Sequence, residues 1–109
     1  MLDPLHIGGA NTVYDALAAG VPVVTLPGPL PRGRYAAALC RAAGVEDGIV
    51  ATTAEYVERA VELGTDAGRR AAVAARIRDG AAPLFERRAA VEQLERFFED
   101  AVGRARRES

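Results

Sequence analysis

The sequence predicts an α/β domain on three observations. Apolar residues recur with helical period in several segments, and a short run rich in β-branched residues has the continuous apolar character of a strand covered on both faces. The two kinds of segment alternate as helix, strand, helix, strand, helix before the chain ends in helices. With 109 residues there is enough chain for one core but not for two. A composition of 50% hydrophobic and 27% charged residues is that of a folded rather than a disordered chain.

The first helix is expected over residues 11–19. Asn11 has the side chain of an N-cap, Val13, Ala16 and Leu17 share one face, and Gly20 supplies the stop. Asn11, Thr12 and Asp15 share the opposite face. Residues 21–26 are the β-branched run, and residues 27–33, rich in Pro and Gly, must form a loop at its end. A second helix follows over 34–43, with Tyr35, Ala36, Leu39 and Ala43 on one face and Gly44 behind it. Residues 49–51 read as a second short strand. Thr52 and Glu55 stand at capping-box spacing ahead of a helix with the stripe Tyr56, Val57, Ala60 and Val61, which Gly64 closes.

Residues 66–79, rich in Ala and Arg, read as an exposed helix, and Pro83, Leu84 and Phe85 as an irregular link. The last helix runs from Arg88 to Ala101 or beyond. Its apolar residues are Val91, Leu94, Phe97, Phe98, Ala101 and Val102, and Arg88/Glu92 and Glu92/Arg96 are charge pairs. A parallel sheet requires a strand ahead of the helix at residue 11, whereas residues 1–9 have room only for the loop after one. The sequence therefore reads as cut on its N-terminal side.

The formal net charge of −1 gives no electrostatic reason to expect nucleic acid or an anionic membrane as partner. Every basic side chain is Arg except the single His6; Lys is absent, which looks like compositional bias. Cys40 is the only cysteine, so no internal disulfide forms, and no second thiol or His stands at zinc-ligand spacing beside it. A reducing, cytoplasmic compartment is expected, with no metal site. Residues 1–4 carry no basic segment of a secretory signal, and the longest apolar stretch, residues 16–26, is interrupted by Gly20 and Pro22 and too short to span a membrane.

Chemistry concentrates in Gly8-Gly9-Ala10-Asn11-Thr12, directly ahead of the first helix. Small residues let a ligand approach the backbone, and the free N–H groups and positive dipole end of a helix favour an anion. Thr12 adds a hydroxyl donor. Asp15, one turn later, can accept from ribose hydroxyls. A tight loop with Asn11 as a mere cap accounts for the same residues. His6 can reach a phosphate or be a polar surface residue. Arg32 and Arg34, flanking Gly33, suit phosphate contacts and a solvated role about equally. Thr25 and the Pro27-Gly28 turn either shape a pocket or end the strand. Cys40 is expected to pack as a small hydrophobe, and the arginines at 69–70 and 104–107 to be solvated.

The run Leu2-Asp-Pro-Leu-His-Ile-Gly-Gly-Ala-Asn-Thr-Val-Tyr-Asp-Ala-Leu-Ala-Ala-Gly-Val-Pro-Val-Val-Thr-Leu-Pro-Gly28 resembles the donor-binding stretch of the O-GlcNAc transferase family, protein glycosyltransferases associated with tetratricopeptide (TPR) repeats, in its bacterial form. Arg34-Tyr-Ala-Ala-Ala-Leu, Glu55-Tyr56, Ala60-Val-Glu-Leu-Gly, Pro83-Leu-Phe and Leu94-Glu95-Arg96 resemble its later segments in the same order. The resemblance covers nearly the whole chain. It implies a partial Rossmann-like C-terminal lobe of a GT-B glycosyltransferase: a UDP-sugar-binding domain over residues 1–86 and, over 87–109, a helix that leans toward the other lobe.

Carried over by position, Ala10, Asn11 and Thr12 lie at the diphosphate and Asp15 at the ribose, and with Gly9 these are the expected nucleotide-sugar-binding residues. The animal enzymes have His-Thr-Thr where this chain has Ala10-Asn11-Thr12, so any contact through Ala10 is made by backbone. The family's general base and phosphate-stabilising Lys lie upstream, which leaves no catalytic residue expected here. The resemblance implies an inverting, metal-independent transfer with no cofactor. A UDP-GlcNAc-like donor, a protein Ser/Thr acceptor, an N-terminal lobe and TPR repeats are the implied partners. Two alternatives stand beside it: a non-catalytic, stand-alone nucleotide-binding remnant, and a lobe of another GT-B enzyme such as a nucleotide-sugar epimerase.

Overall fold

The computed structural model of the chain describes all 109 residues. Five α-helices account for most of it: α1 (Asn11–Ala18), α2 (Tyr35–Ala42), α3 (Thr53–Thr65), α4 (Ala67–Gly80) and α5 (Arg88–Glu108). Single 3₁₀ turns, Pro31–Gly33 and Ala82–Leu84, precede α2 and follow α4. The first of these lies within residues 27–33, which the sequence assigns wholly to a loop.

The helix ends follow local chemistry. Gly20 takes a left-handed φ of 72° just after α1, a conformation that a Cβ would oppose. Thr52 Oγ1 accepts from the Glu55 N–H at 3.1 Å, as the capping-box spacing predicts, while Glu55 Oε2 accepts from Ala51 N–H rather than from the cap residue. Gly64 does not close α3, which continues through Thr65; Asp66 then caps α4 by accepting from Arg69 N–H. Arg70 Nη1 donates to the carbonyls of Leu63 and Gly64, satisfying groups that the end of α3 leaves open.

No named strand forms, so the structure, which is mostly helical, does not confirm the α/β expectation. What remains of a sheet is two isolated parallel bridges, Leu2 with Val24 and Thr25 with Ile49. Residues 1–3, 23–25 and 48–50 thus lie side by side with 23–25 in the middle. Val24 N–H donates to the Met1 carbonyl and Asp3 N–H to that of Val24; Thr25 N–H donates to Gly48 and Val50 N–H to Thr25. The next rung of each ladder is missing. Beside Val50 it would need an N–H at position 27, which is Pro27. Beside Leu26 no N–H bond to the Asp3 carbonyl forms, and that carbonyl accepts from the Tyr56 hydroxyl at 2.9 Å. Residues 1–3 also supply the extended neighbour that the sequence reading denied to residues 1–9.

Helix α1 packs on α2 and α4, and α3 on α4. The core joins Val13, Ala16 and Leu17 of α1 to Ala36 and Cys40 of α2, Val23 and Val24 of the central segment, Leu63 of α3, and Val73 and Ile77 of α4. Close backbone approaches depend on missing side chains: a Cβ on Gly48 would collide with the Val23 carbonyl, and one on Gly80 with the Ala43 carbonyl. Three face assignments are revised. Helix α4 buries Val73 and Ile77 and is not wholly exposed; α3 buries Leu63 while Val57 and Val61 face solvent; Tyr35 lies outside and Ala37 inside. Each follows from neighbours distant in sequence, which periodicity does not register.

Asp47 draws the loop after α2 onto α4. Its Oδ1 meets Arg76 Nη2 at 2.6 Å and Arg69 Nη2 at 3.7 Å, and Arg69 Nε also pairs with Glu62 of α3 at 3.0 Å. Burial alone would raise the Asp47 carboxyl, but the hydrogen bond and charge of Arg76, aided by Arg69, hold it below its ordinary range.

After Phe85 the chain turns through Glu86, whose φ of 50° is left-handed, and enters α5. No residue of α5 is buried, and the molecule measures 64 Å along its longest axis. Of the two expected charge pairs, Arg88 Nε meets Glu92 Oε1 at 3.0 Å, whereas Arg96 Nε donates to the Glu92 backbone carbonyl. No helix is long and apolar enough to cross a membrane.

Candidate functional site

The loop ahead of α1 is held by one buried carboxylate. Asp3 is 1% exposed; its Oδ1 accepts from the Gly9 N–H and its Oδ2 from the Thr25 hydroxyl, both at 2.8 Å. Thr25 is itself fully buried, so this pair is shielded from water, and both partners of the carboxylate are satisfied. With the Tyr56 hydroxyl on its carbonyl, Asp3 joins the central extended segment, α3 and the glycine loop. Burial and the nearby Asp3 charge raise the Tyr56 hydroxyl above its ordinary pKa. They also push the Cys40 thiol up to about 11, only partly opposed by Arg41. Cys40 is buried as a small apolar side chain and is not a nucleophile at neutral pH.

The two glycines keep the loop free of side chains. A Cβ on Gly8 would press on both Asp3 carboxylate oxygens and on the Arg32 carbonyl, at 3.1 to 3.3 Å, and one on Gly9 would collide with Thr12 Oγ1. The chain then enters α1 with Ala10, not Asn11, at the N-cap, and no side chain caps the helix. The Asn11 cap expectation is therefore corrected: Asn11 is the first helical residue. Because the carboxylate of Asp3 takes Gly9 N–H and α1 begins at Asn11, the N–H groups of Ala10, Asn11 and Thr12 have no partner within the protein. Asn11, Thr12 and Asp15 are exposed on the face away from the core. The structure thus gathers Gly9, Ala10, Asn11, Thr12 and Asp15 at one exposed end of one helix.

A second loop stands beside the first. Gly8 N–H donates to the Arg32 carbonyl at 2.8 Å, and between residues 5–6 and 28–33 lies an open cleft of about 210 Å³ lined in part by His6 and Arg32. The two arginines flanking Gly33 differ. Arg34 Nη1 donates to the Gly28 carbonyl at 2.8 Å and closes its own loop, while the Arg32 guanidinium makes no hydrogen bond or ion pair. Arg34 is a structural residue and Arg32 is available.

Residues 1–94 match the family described as Glycosyl transferase family 41. The chain belongs to that family. It is 37% identical over 101 residues to the Arabidopsis thaliana protein named "Probable UDP-N-acetylglucosamine--peptide N-acetylglucosaminyltransferase SEC", covering 90% of this chain and 10% of that relative. The Caenorhabditis elegans UDP-N-acetylglucosamine--peptide N-acetylglucosaminyltransferase is 38% identical over 76 residues, 70% of this chain and 7% of its own. Among solved structures, a mutant of the Thermobaculum terrenum O-GlcNAc transferase superposes with a TM-score of 0.74 at 35% identity, over 94% of this chain and 19% of that one. The chain therefore corresponds to the C-terminal region of O-GlcNAc transferases and spans a tenth or less of the curated relatives it matches.

Within this family 41 chain, Asp3 is the residue that sequence reasoning missed. It lies inside the family-like run, yet its partners Thr25 and Tyr56 are 22 and 53 residues away. The available signal was a carboxylate in a short segment beside a β-branched run, which must be either exposed or paired.

Proposed function

We propose that the chain is the donor-binding part of a UDP-sugar-dependent protein O-glycosyltransferase of GT-B architecture, with a UDP-GlcNAc-like donor and Ser or Thr acceptors. The observation that carries this reading is the start of α1. Three unpartnered N–H groups at a helix N-terminus, ahead of which two glycines leave no side chain in the way, suit a diphosphate, and Asp15, one turn further along the exposed face, suits a ribose diol. The names of the relatives point to the same donor.

In the transfer, the acceptor oxygen bonds to the anomeric carbon as the bond from that carbon to the diphosphate breaks. UDP departs carrying added negative charge, and the hydroxyl proton passes to a base. The N-terminus of α1 would stabilise the departing diphosphate, since fixed N–H dipoles act most strongly where charge develops. The base, and the cation that complements the leaving group, would come from chain outside these 109 residues, so this part binds without completing catalysis. The residue division follows: residues 1–86 bind the donor, and 87–109 form the helix facing the remainder of the enzyme.

Calorimetric titration of the 109-residue chain with UDP tests the reading. Binding is expected, weakened about tenfold by Asp15→Ala, the loss of a charge-assisted hydrogen bond. UDP binding that Asp15→Ala leaves unchanged refutes the ribose assignment, and absence of UDP binding refutes donor binding by this part.

A further inference from the structure

Asp3 is the one buried carboxylate of the molecule, and its charge has no counterpart. Both of its partners, the Gly9 N–H and the Thr25 hydroxyl, are neutral, and none of the ion pairs includes it. Fastening the loop does not call for a charge, since a neutral amide oxygen accepts an N–H as well. The charge also acts beyond its hydrogen bonds. Burial first and the Asp3 charge second raise the Tyr56 hydroxyl and the Cys40 thiol, so the carboxylate already holds two neighbours back from becoming anions. Toward the loop only backbone lies in front of it. A Cβ on Gly8 would stand 3.1 and 3.3 Å from the two carboxylate oxygens, which places the carboxylate directly against the inner side of Gly8 and Gly9. A buried charge is screened little by salt.

We propose that Asp3 is a specificity-determining residue of the donor site, whose buried charge sets the site against the more highly charged of two nucleotides. The proposal rests on the donor-binding reading above, with the diphosphate on the outer side of the same loop. In a UDP-sugar both phosphates are esterified. Free UDP instead ends in a phosphate that loses a further proton at about pH 6, so at neutral pH the product carries one more negative charge than the donor. That charge meets the Asp3 carboxylate across a single layer of backbone and lowers the affinity for UDP more than that for the donor. Asp3 thus fastens the loop through its oxygens and favours release of UDP through its charge.

The test compares two ligands that differ by that charge alone, UDP and the methyl ester of its terminal phosphate, with uridine as the uncharged reference. The 109-residue chain and its variants are titrated at slightly alkaline pH, with circular dichroism as the check on folding. Asp3→Asn keeps the shape and both hydrogen bonds, its amide oxygen accepting from Gly9 and its amide N–H donating to Thr25 Oγ1. It is expected to raise the affinity for UDP relative to the ester by about fivefold, the scale of one unit charge acting across a layer of backbone, and to leave uridine unchanged. Thr25→Val keeps the charge but removes a hydrogen bond that offsets part of it, so it should weaken UDP more than the ester; it decides the question if Asp3→Asn does not fold. A preference between UDP and the ester that is the same in wild type and Asp3→Asn overturns the charge role and leaves the nucleotide reading intact. Equal weakening of both ligands by Thr25→Val also overturns it, since Asp3 is then a fastener only. Binding of neither UDP nor the ester to the wild-type chain refutes the donor-binding reading, and this role with it.

Discussion

Residues 1–85 and helix α5 carry the same kind of sequence signal and come to opposite ends. In α1 the apolar positions Val13, Ala16 and Leu17 are sealed in the core, with Leu17 only 1% exposed. In α5 the equally regular stripe Val91, Leu94, Phe98 and Val102 stays open, and Phe97 is 58% exposed against its only aromatic neighbour, Phe98, in an edge-on contact. All buried residues lie at or before Leu84. Helical period specifies a face and says nothing of what covers it. Without a covering surface, a helix of this length depends on propensity and a few i,i+4 contacts, which give marginal stability in water.

The contrast can be broken most directly by truncating one apolar residue on each side. Leu17→Ala is expected to cost about 2–5 kcal/mol in urea unfolding, the range for a buried leucine, while Phe98→Ala should stay within about 0.5 kcal/mol. Comparable losses would mean that α5 is packed in solution. Glycines sharpen the same point at a smaller scale. Gly48→Ala drives a methyl group into the Val23 carbonyl and should destabilise by about 1–3 kcal/mol, as overpacking does. Gly103→Ala meets only the flexible end of Arg107, at 3.5 Å, and should stabilise α5 by up to about 1 kcal/mol, visible as added helicity.

The smallest effect is confined to alkaline solution and to the packed part. The folded Cys40 thiol titrates at about 11 against an ordinary 9.0, so the folded state holds a proton that the unfolded chain releases first. That stability is complete below pH 9 and is lost as pH rises toward 11. Cys40→Ala should flatten this slope in a pH series of unfolding midpoints. An unchanged slope would assign it to other groups, Tyr56 first among them.

Much of this was legible in the chain. All five helices stand where period, Gly20 and the Thr52/Glu55 spacing put them, because these are short-range effects written within one turn. The expected strands are reduced to isolated bridges, since a β-branched run indicates burial, whereas pairing also needs N–H groups at the right positions, and Pro27 lacks one. The burial of Val73 and Ile77 was hidden by surrounding alanines and arginines that lower the apparent hydrophobicity of α4. Of the candidate site, small residues before a helix pointed to Gly9 through Asp15, which the structure groups at one exposed helix end. Nothing so local pointed to Asp3, which positions them, because its partners come from other elements.

The links among Asp3, Gly9, Thr25, Gly8 and Arg32 have a thermodynamic consequence. A loop already fastened at both ends has less conformational freedom to lose to the proposed anion, so more of the entropy of ordering is settled during folding than during binding. Association should then proceed without a slow rearrangement phase. Loosening the fastening with Thr25→Val should slow productive encounter and make binding less favourable in entropy, even though no atom touching the anion has changed.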